Sequence, residues 1–148
     1  MKLDILNNEI LVSFLEINKA YNKLVKFDAE RLGITPVQLK ALFKINNNPN
    51  ISLGELAEKL RLTNSTVSGV IDRLVHSGLV ERVVPPGDRR TISIHLTSDG
   101  KKTLAQFNSS DSMLMKKVKE VLELPEEEIS HLLRLHQLVL KRLTIEEE

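Results

Sequence analysis

Two short amphipathic segments in the middle of the chain constrain the fold most. Ser52 and Glu55 have the spacing of a capping box, which marks the start of a helix. Only a few residues later Thr63 offers the N-cap of a second helix. The apolar residues of this second helix recur at helical spacing, at Val67, Val70, Ile71 and Leu74. Two short helices with so brief a connection predict a helix-turn-helix over residues 53–76.

A hairpin is expected directly after this unit. Residues 79–84 and 91–96 alternate or are rich in β-branched residues, which is typical of strands. Between them lies the tip Pro85-Pro86-Gly87-Asp88-Arg89-Arg90, whose two prolines stiffen a turn that carries two guanidinium groups. The sequence therefore predicts a wing over residues 79–97 with a rigid, basic tip.

Helices flank this middle region on both sides. Apolar residues at steps of three and four predict a long first helix that begins at Leu3, and Gly33 is expected to end it. Thr35, Pro36 and Gln38 give a complete start signal for a second helix that runs to about Ile45.

The tail is expected to form two more helices. Thr97 can cap a fifth helix with a broken apolar stripe from Leu104 to Leu122, and Pro125 interrupts it. A sixth helix then follows with one apolar face, formed by Ile129, Leu132, His136, Val139 and Leu143. Because the whole middle region separates the terminal helices in sequence, they must bury their stripes against each other or against a partner.

Composition excludes several classes of protein. The chain has 148 residues and no cysteine, which excludes disulfides, thiolate metal sites and cysteine nucleophiles. No apolar run approaches the ~20 residues of a membrane span, and the segment Met1-Lys2-Leu3-Asp4 has none of the apolar core that is typical of a signal peptide. We therefore expect a cytoplasmic protein without a membrane partner. Residues 36–97 carry 8 basic and 5 acidic side chains, so a polyanion would bind there, although this excess alone is weak support.

The outer face of the fourth helix carries the first candidate binding residues. Its side chains are short and polar, which permits a close approach to DNA and hydrogen bonds to bases or phosphates. They are Asn64, Ser65, Thr66, Ser68, Gly69, Asp72 and Arg73. A solvated face whose serines and threonines only cap the helix is an equal alternative from the helix alone.

The hairpin tip carries the second set. An arginine on a protruding turn has the right shape for a narrow minor groove, where the negative potential is enhanced. Asp88 could pair with one of Arg89 and Arg90 and so direct the other outward. Charged tips are also common on ordinary solvated hairpins.

These residues together resemble the MarR family of bacterial winged helix-turn-helix regulators. The resemblance rests on residues 63–82 and on the wing pattern of Asp, any residue, Arg, five residues, Leu and Thr, which this chain matches from Asp88 to Thr97. It implies that Arg90 enters the minor groove, with Arg89 adjacent and Asp88 as its brace.

The resemblance also implies an architecture. The fold class is then mainly α (α+β), a single MarR-type domain over residues 1–148 with a winged helix-turn-helix lobe over 35–97. Residues 1–34 and 98–148 would form a dimerisation lobe of long terminal helices. Its interface is expected to include Leu6, Ile10, Phe14, Leu132, Val139 and Leu143.

The implied function is sequence-specific binding of double-stranded DNA by a homodimer, as a repressor on a pseudo-palindromic operator. Many members of the family bind a small aromatic or phenolic ligand in a cleft lined by the first, second and fifth helices. The alternative is a winged-helix module that binds another protein and touches DNA weakly or without specificity.

The sequence does not indicate metal binding or catalysis. The histidines lack the ligand spacing of a zinc site, since His131 and His136 lie five residues apart on different helix faces. No nucleophile with a base, paired carboxylates or glycine-rich phosphate loop is present. We therefore expect no metal, no cofactor and no enzymatic activity.

Overall fold

The computed structural model describes residues 8–87 and 91–146. This part of the chain is mainly helical with one small sheet, so the predicted fold class is confirmed. Its elements are α1 (Glu9–Arg31), α2 (Pro36–Asn47), α3 (Leu53–Leu60), α4 (Asn64–His76), β1 (Val80–Val83), β2 (Ser93–Leu96), α5 (Ser98–Phe107), α6 (Met113–Leu122) and α7 (Glu126–Leu143).

The first helix begins later than the apolar spacing predicts. Asn8 has an extended backbone, and its side chain accepts hydrogen bonds from the N–H groups of Ile10 and Leu11. The predicted start at Leu3 is therefore wrong, because asparagine competes for these helix-end donors and caps the helix at Glu9. Leu3 and Leu6 themselves lie outside the described residues.

The central helices begin at the predicted caps. Thr35 and Gln38 form both hydrogen bonds of a capping box on α2. The hydroxyl of Ser52 accepts from the N–H of Glu55 at the start of α3, and Thr63 caps α4. Between α3 and α4 the chain turns through Arg61, whose φ of 55° is left-handed. α3 and α4 are thus two short helices joined by a turn of three residues.

The wing is a two-stranded antiparallel sheet. Val80 lies opposite Leu96 and Val83 lies opposite Ser93 in the register of β1 and β2. The N–H of Ile94 also donates to the carbonyl of Ile51, which joins the sheet to the segment before α3. The inward-facing residues of both strands therefore lie against the helix-turn-helix.

One hydrophobic core holds these elements together. Its largest fully buried side chains come from α2, the segment before α3, α3, α4 and the sheet, and they are Leu39, Leu42, Ile51, Leu56, Ile71, Leu74 and Ile94. Phe43 of α2 and Phe107 of α5 meet edge to face, with their ring centroids 4.9 Å apart. The apolar face that helical spacing predicted for α4, formed by Val67, Val70, Ile71 and Leu74, is the buried one.

The predicted fifth helix is two helices. α5 ends at Phe107 and α6 begins at Met113, although the apolar stripe continues past the break. In the intervening turn the hydroxyl of Ser109 donates to the carbonyl of Gln106 and accepts from the N–H of Asp111. The expectation of one continuous helix is wrong, because the Ser109 side chain competes for the backbone in this turn and the Asp28 carboxylate accepts from the N–H groups of Met113 and Leu114 at the start of α6.

The chain divides into two compact units, one up to Leu114 and one from Met115 onward. The second unit contains most of α6 and all of α7, and α7 has no buried residue. The exposed apolar residues of this second unit include Leu124, Leu132, Leu133, Leu135, Leu138, Leu140 and Leu143. None of the helices in the described residues is long and apolar enough to cross a membrane.

Candidate nucleic-acid interface

The fourth helix presents the predicted polar residues on its outer side. Thr63 caps the helix, and Asn64, Ser65 and Thr66 are exposed in its first turn. Ser68 and Gly69 are partly exposed and Arg73 is exposed. The opposite side of the helix is the buried one, formed by Val67, Val70, Ile71 and Leu74. The sequence-predicted residues therefore share one accessible surface.

Gly69 lies on this surface without a packing reason. A Cβ atom placed there would find no atom within 4 Å, and the residue is an ordinary helical one. A glycine in a helix costs roughly 0.5–1 kcal/mol relative to alanine. No neighbour in the described residues requires that cost, and a glycine at this position leaves the helix backbone accessible.

The cap itself uses part of the polar surface. The N–H of Thr66 donates to Oγ1 of Thr63 at 3.2 Å, and the Thr63 hydroxyl donates to Oγ1 of Thr66 at 2.9 Å. Thr66 therefore contributes to the helix start, while its own hydroxyl hydrogen can still be donated outward. The capping role of Thr66 is therefore compatible with the predicted binding role.

An ion pair joins the fourth helix to the wing. Nη2 of Arg82 on β1 lies 2.5 Å from Oδ1 of Asp72 on α4. Both side chains are largely exposed, so the pair adds at most about 1 kcal/mol to stability. The pair joins the first wing strand to the helix. This contact of Arg82 could not be predicted from the sequence, because nothing in the spacing of residues 72 and 82 shows that they meet.

A cavity of about 180 Å³ lies between α1, α2, α5 and the first turn of α6. Its walls are mainly apolar and aromatic, and Lys40 is its one charged lining residue among those described. The lining residues are Tyr21, Val25, Leu39, Lys40, Phe43, Phe107 and Leu114. These elements are those from which sequence analysis expected a ligand cleft.

The predicted dimer-interface residues are accessible where the structure describes them. Ile10 and Leu143 are each 61% exposed, and Leu132 is 43% exposed. Phe14 and Val139 are partly exposed, whereas Leu6 lies outside the described residues. α1 and α7 each keep an apolar face that their own unit does not cover.

Comparison with known proteins identifies the family. A model of the MarR family matches residues 34–92. The HTH-type transcriptional repressor YetL of Bacillus subtilis (strain 168) is 32% identical over 101 residues, which are 67% of this chain and 60% of the relative. The chain belongs to the MarR family.

A second relative gives the same assignment. The uncharacterized HTH-type transcriptional regulator YfiV of B. subtilis (strain 168) is 32% identical over 97 residues, or 66% of this chain and 60% of the relative. The matched segment thus spans about 60% of the length of both relatives.

Solved MarR structures share the fold. The multiple antibiotic-resistance repressor (MarR) from Listeria monocytogenes 4b F2365 is 26% identical, with a TM-score of 0.63 over 97% of this chain and 98% of that one. The MepR–DNA complex from Staphylococcus aureus has a TM-score of 0.76 at 24% identity, covering 93% of this chain and 100% of that one. The second likeness concerns the fold alone.

The end of the MarR wing pattern has a structural role in this chain. The hydroxyl of Thr97 donates to the carbonyl of Gly78 at 2.6 Å and accepts from the N–H of Gly100 at 3.1 Å. The N–H of Thr97 also donates to the carbonyl of Leu79. Thr97 therefore caps α5 and, at the same time, ties the returning wing strand to the end of α4.

The start of the MarR wing pattern is not described. Asp88, Arg89 and Arg90 lie outside the described residues, so their roles as brace and groove contacts stay predictions. Gly87, directly before them, has a φ of 89°, which is the left-handed region that a tight turn requires of glycine. The chain is thus already turning where the basic residues begin.

The described residues offer no metal site. They contain no group of three or more histidine, cysteine, aspartate or glutamate side chains that could hold a metal ion. The interface and the cavity are therefore the two features of this MarR family chain from which a function can be argued.

Proposed function

We propose that this chain is a transcriptional regulator that binds double-stranded DNA in the cytoplasm of a bacterium, by binding alone and without a catalytic step. The observation that carries the proposal is the outer face of α4, where short polar side chains surround a glycine that no packing requires. In helix-turn-helix proteins this second helix lies in the major groove. Two relatives of the chain are named HTH-type transcriptional regulators or repressors.

The individual residues receive their roles from this placement. In the major groove, the first turns of α4 would read base edges and phosphates with Asn64, Ser65, Thr66, Ser68, Gly69 and Arg73. The wing would follow the neighbouring minor groove with Arg90, beside Arg89 and braced by Asp88. The Asp72–Arg82 pair supports this arrangement, since it joins the two elements that would occupy adjacent grooves.

We infer that the regulator acts as a homodimer and a repressor. α1 and α7 each expose several large apolar side chains, and contiguous exposed apolar surface marks an interaction site. A symmetric dimer presents two copies of α4 and therefore prefers a pseudo-palindrome with half-sites ~10 bp apart. The repressor name of YetL supports the repressor role.

The cavity supports a ligand for this regulator. Its volume of about 180 Å³ suits a single ring, and the exposed Lys40 provides a cation at walls that are otherwise mainly apolar. We propose that it binds a small aromatic or phenolic anion that releases the DNA. Salicylate is a suitable probe, and Lys40→Met should weaken its effect on DNA binding at least several-fold, whereas Lys44→Met, one turn further along α2, should not.

The salt dependence of binding tests the DNA proposal itself. Log affinity should fall as log salt concentration rises, with a slope of about −0.9 for each phosphate that the protein neutralises. Asn64→Ala and Ser68→Ala should also reduce the preference for the operator over unrelated DNA. A chain that binds no DNA even at low salt would contradict the proposal and favour the alternative, a winged-helix module for a protein partner.

A further inference from the structure

A buried carboxylate lies on α1, away from the face proposed to bind DNA. Asp28 has no exposed surface, and it accepts three hydrogen bonds from the start of α6. The donors are the N–H groups of Met113 at 2.8 Å and Leu114 at 3.0 Å, and the hydroxyl of Ser112 at 2.8 Å. Asp28 therefore caps a helix that is 84 residues away in sequence, with a negative charge at the positive end of its dipole.

Arg31, one turn further along α1, acts on the other side of the same break. Its Nη2 donates to the carbonyl of Gln106, in the last turn of α5, at 3.2 Å. Its Nε lies 3.9 Å from Oδ1 of Asp28. A cation thus meets the negative end of α5 and an anion meets the positive end of α6. We call Asp28 and Arg31 together the junction clamp.

The junction clamp borders the ligand cavity. Leu114, whose N–H the clamp holds, lines the cavity, and so does Phe107 at the end of α5. Val25, one turn before Asp28 on α1, lines it as well. The chain that links Phe107 to Leu114 therefore forms two walls of the cavity, and the clamp binds that chain near both of its ends.

We propose that the junction clamp positions the walls of the cavity and that occupancy of the cavity is thermodynamically coupled to it. The inference rests on the ligand cavity of the proposed function but not on the identity of its ligand. An occupant that contacts Val25, Phe107 and Leu114 binds best when these walls are held in place. By linkage, the occupant must then stabilise the hydrogen bonds that Met113 and Leu114 donate to Asp28.

The test uses xenon, which binds apolar cavities and requires no biological ligand. NMR of the full chain would follow the methyl shifts of Val25 and Leu114 under xenon, together with the amide exchange rates of Met113 and Leu114. In the natural chain, xenon should shift both methyl signals and slow both amides. Asp28→Asn should speed exchange of these amides on the order of tenfold, as expected for loss of a charge-assisted hydrogen bond.

Three further results complete the test. Asp28→Asn should also weaken the xenon shifts and abolish the effect of xenon on exchange, which a merely stabilising residue would leave intact. Glu30→Gln, an exposed acid on the same turn of α1, is the matched control and should change neither quantity. Should Asp28→Asn fail to fold, Ser112→Ala removes one of the three bonds and should show a smaller change in the same direction.

Two results would overturn the inference. One is an unchanged xenon response in Asp28→Asn while the Met113 and Leu114 amides exchange faster. The other is a natural chain in which xenon leaves these amides unaffected. If salicylate fails to release DNA while xenon and the clamp are coupled, only the proposed ligand release is wrong.

Discussion

Gly100 occupies a position where a side chain does not fit. A Cβ atom there would lie 2.0 Å from the carbonyl oxygen of Leu79, which is backbone and cannot move aside. Gly100→Ala should therefore lower the free energy of unfolding by about 3 kcal/mol, at the upper end of what overpacking costs. Urea denaturation measures this. Gly54→Ala is the control, because its Cβ would meet nothing within 4 Å, and it should instead stabilise by about 0.5–1 kcal/mol.

Asp28 makes stability depend on pH. Burial raises its pKa, but the N–H groups of Leu114 and Met113, the Ser112 hydroxyl and the charge of Arg31 together bring the pKa below its ordinary value. The folded state thus favours the charged form. The resulting stabilisation is present above the pKa of an unfolded aspartate, about 3.9, and is lost as pH falls through the folded pKa.

Unfolding of Asp28→Asn checks this sign. At pH 6 the variant should be about 1.5–3 kcal/mol less stable than the natural chain, and the difference should shrink at pH 3. A difference that is constant or grows toward acid would show that Asp28 does not contribute through its charge.

Arg90 carries the main prediction for the wing. Loss of one groove-inserted arginine in Arg90→Ala should weaken specific operator binding by about 1–3 kcal/mol while the unfolding free energy stays the same. Fluorescence anisotropy with labelled operator measures the affinity. Unchanged affinity in a folded variant would refute the role that the wing pattern assigns to this residue.

Among whole elements, α4 and β1 offer a matched pair of arginines. Arg73 is exposed on the outer face of α4, whereas Arg82 is held by Asp72. Arg73→Ala should reduce operator affinity by about 1–3 kcal/mol. Arg82→Ala should cost less than about 1 kcal/mol, because Arg82 is already committed to an exposed ion pair. The reverse order in the same binding assay would mean that the ion pair opens and Arg82 is the contact.

The ends of the helices show which structural features can be predicted from local sequence. Helices α2, α3 and α4 begin where Thr35, Ser52 and Thr63 predict, because each cap bonds to a residue three positions away. The break between α5 and α6 was missed, because its main anchor, Asp28, is distant in sequence. A carboxylate on α1 gives no local sign that it will cap another helix.

Some features of the candidate site could also be predicted from local sequence, and others could not. The outer face of α4 could be predicted from helical spacing, since the buried residues of one helix recur every three or four positions. The Asp72–Arg82 pair and the cavity could not, because both depend on how separate elements pack. The family could be predicted from the resemblance of the helix-turn-helix and the wing pattern. The role of Gly100 and the bond from Thr97 to Gly78 could not, because both depend on how separate elements pack.

At the scale of the whole molecule, α7 tests the dimer. Leu132 is apolar and exposed on this helix, and a second copy is proposed to cover it. Leu132→Asp should dissociate the dimer, because the interface would bury an unpaired charge. Sedimentation velocity reports the state. Ser130→Asp, on the opposite side of α7, should remain dimeric; a dimer in both variants would place the interface elsewhere.

The central claim is that two copies of this chain recognise one specific DNA sequence. Selection of bound fragments from a random DNA library, at low and at physiological salt, tests it most directly. We predict enrichment of an inverted repeat whose half-sites lie about one helical turn apart, and we expect that enrichment to persist at physiological salt. Binding that selects no motif and vanishes at physiological salt would contradict the claim.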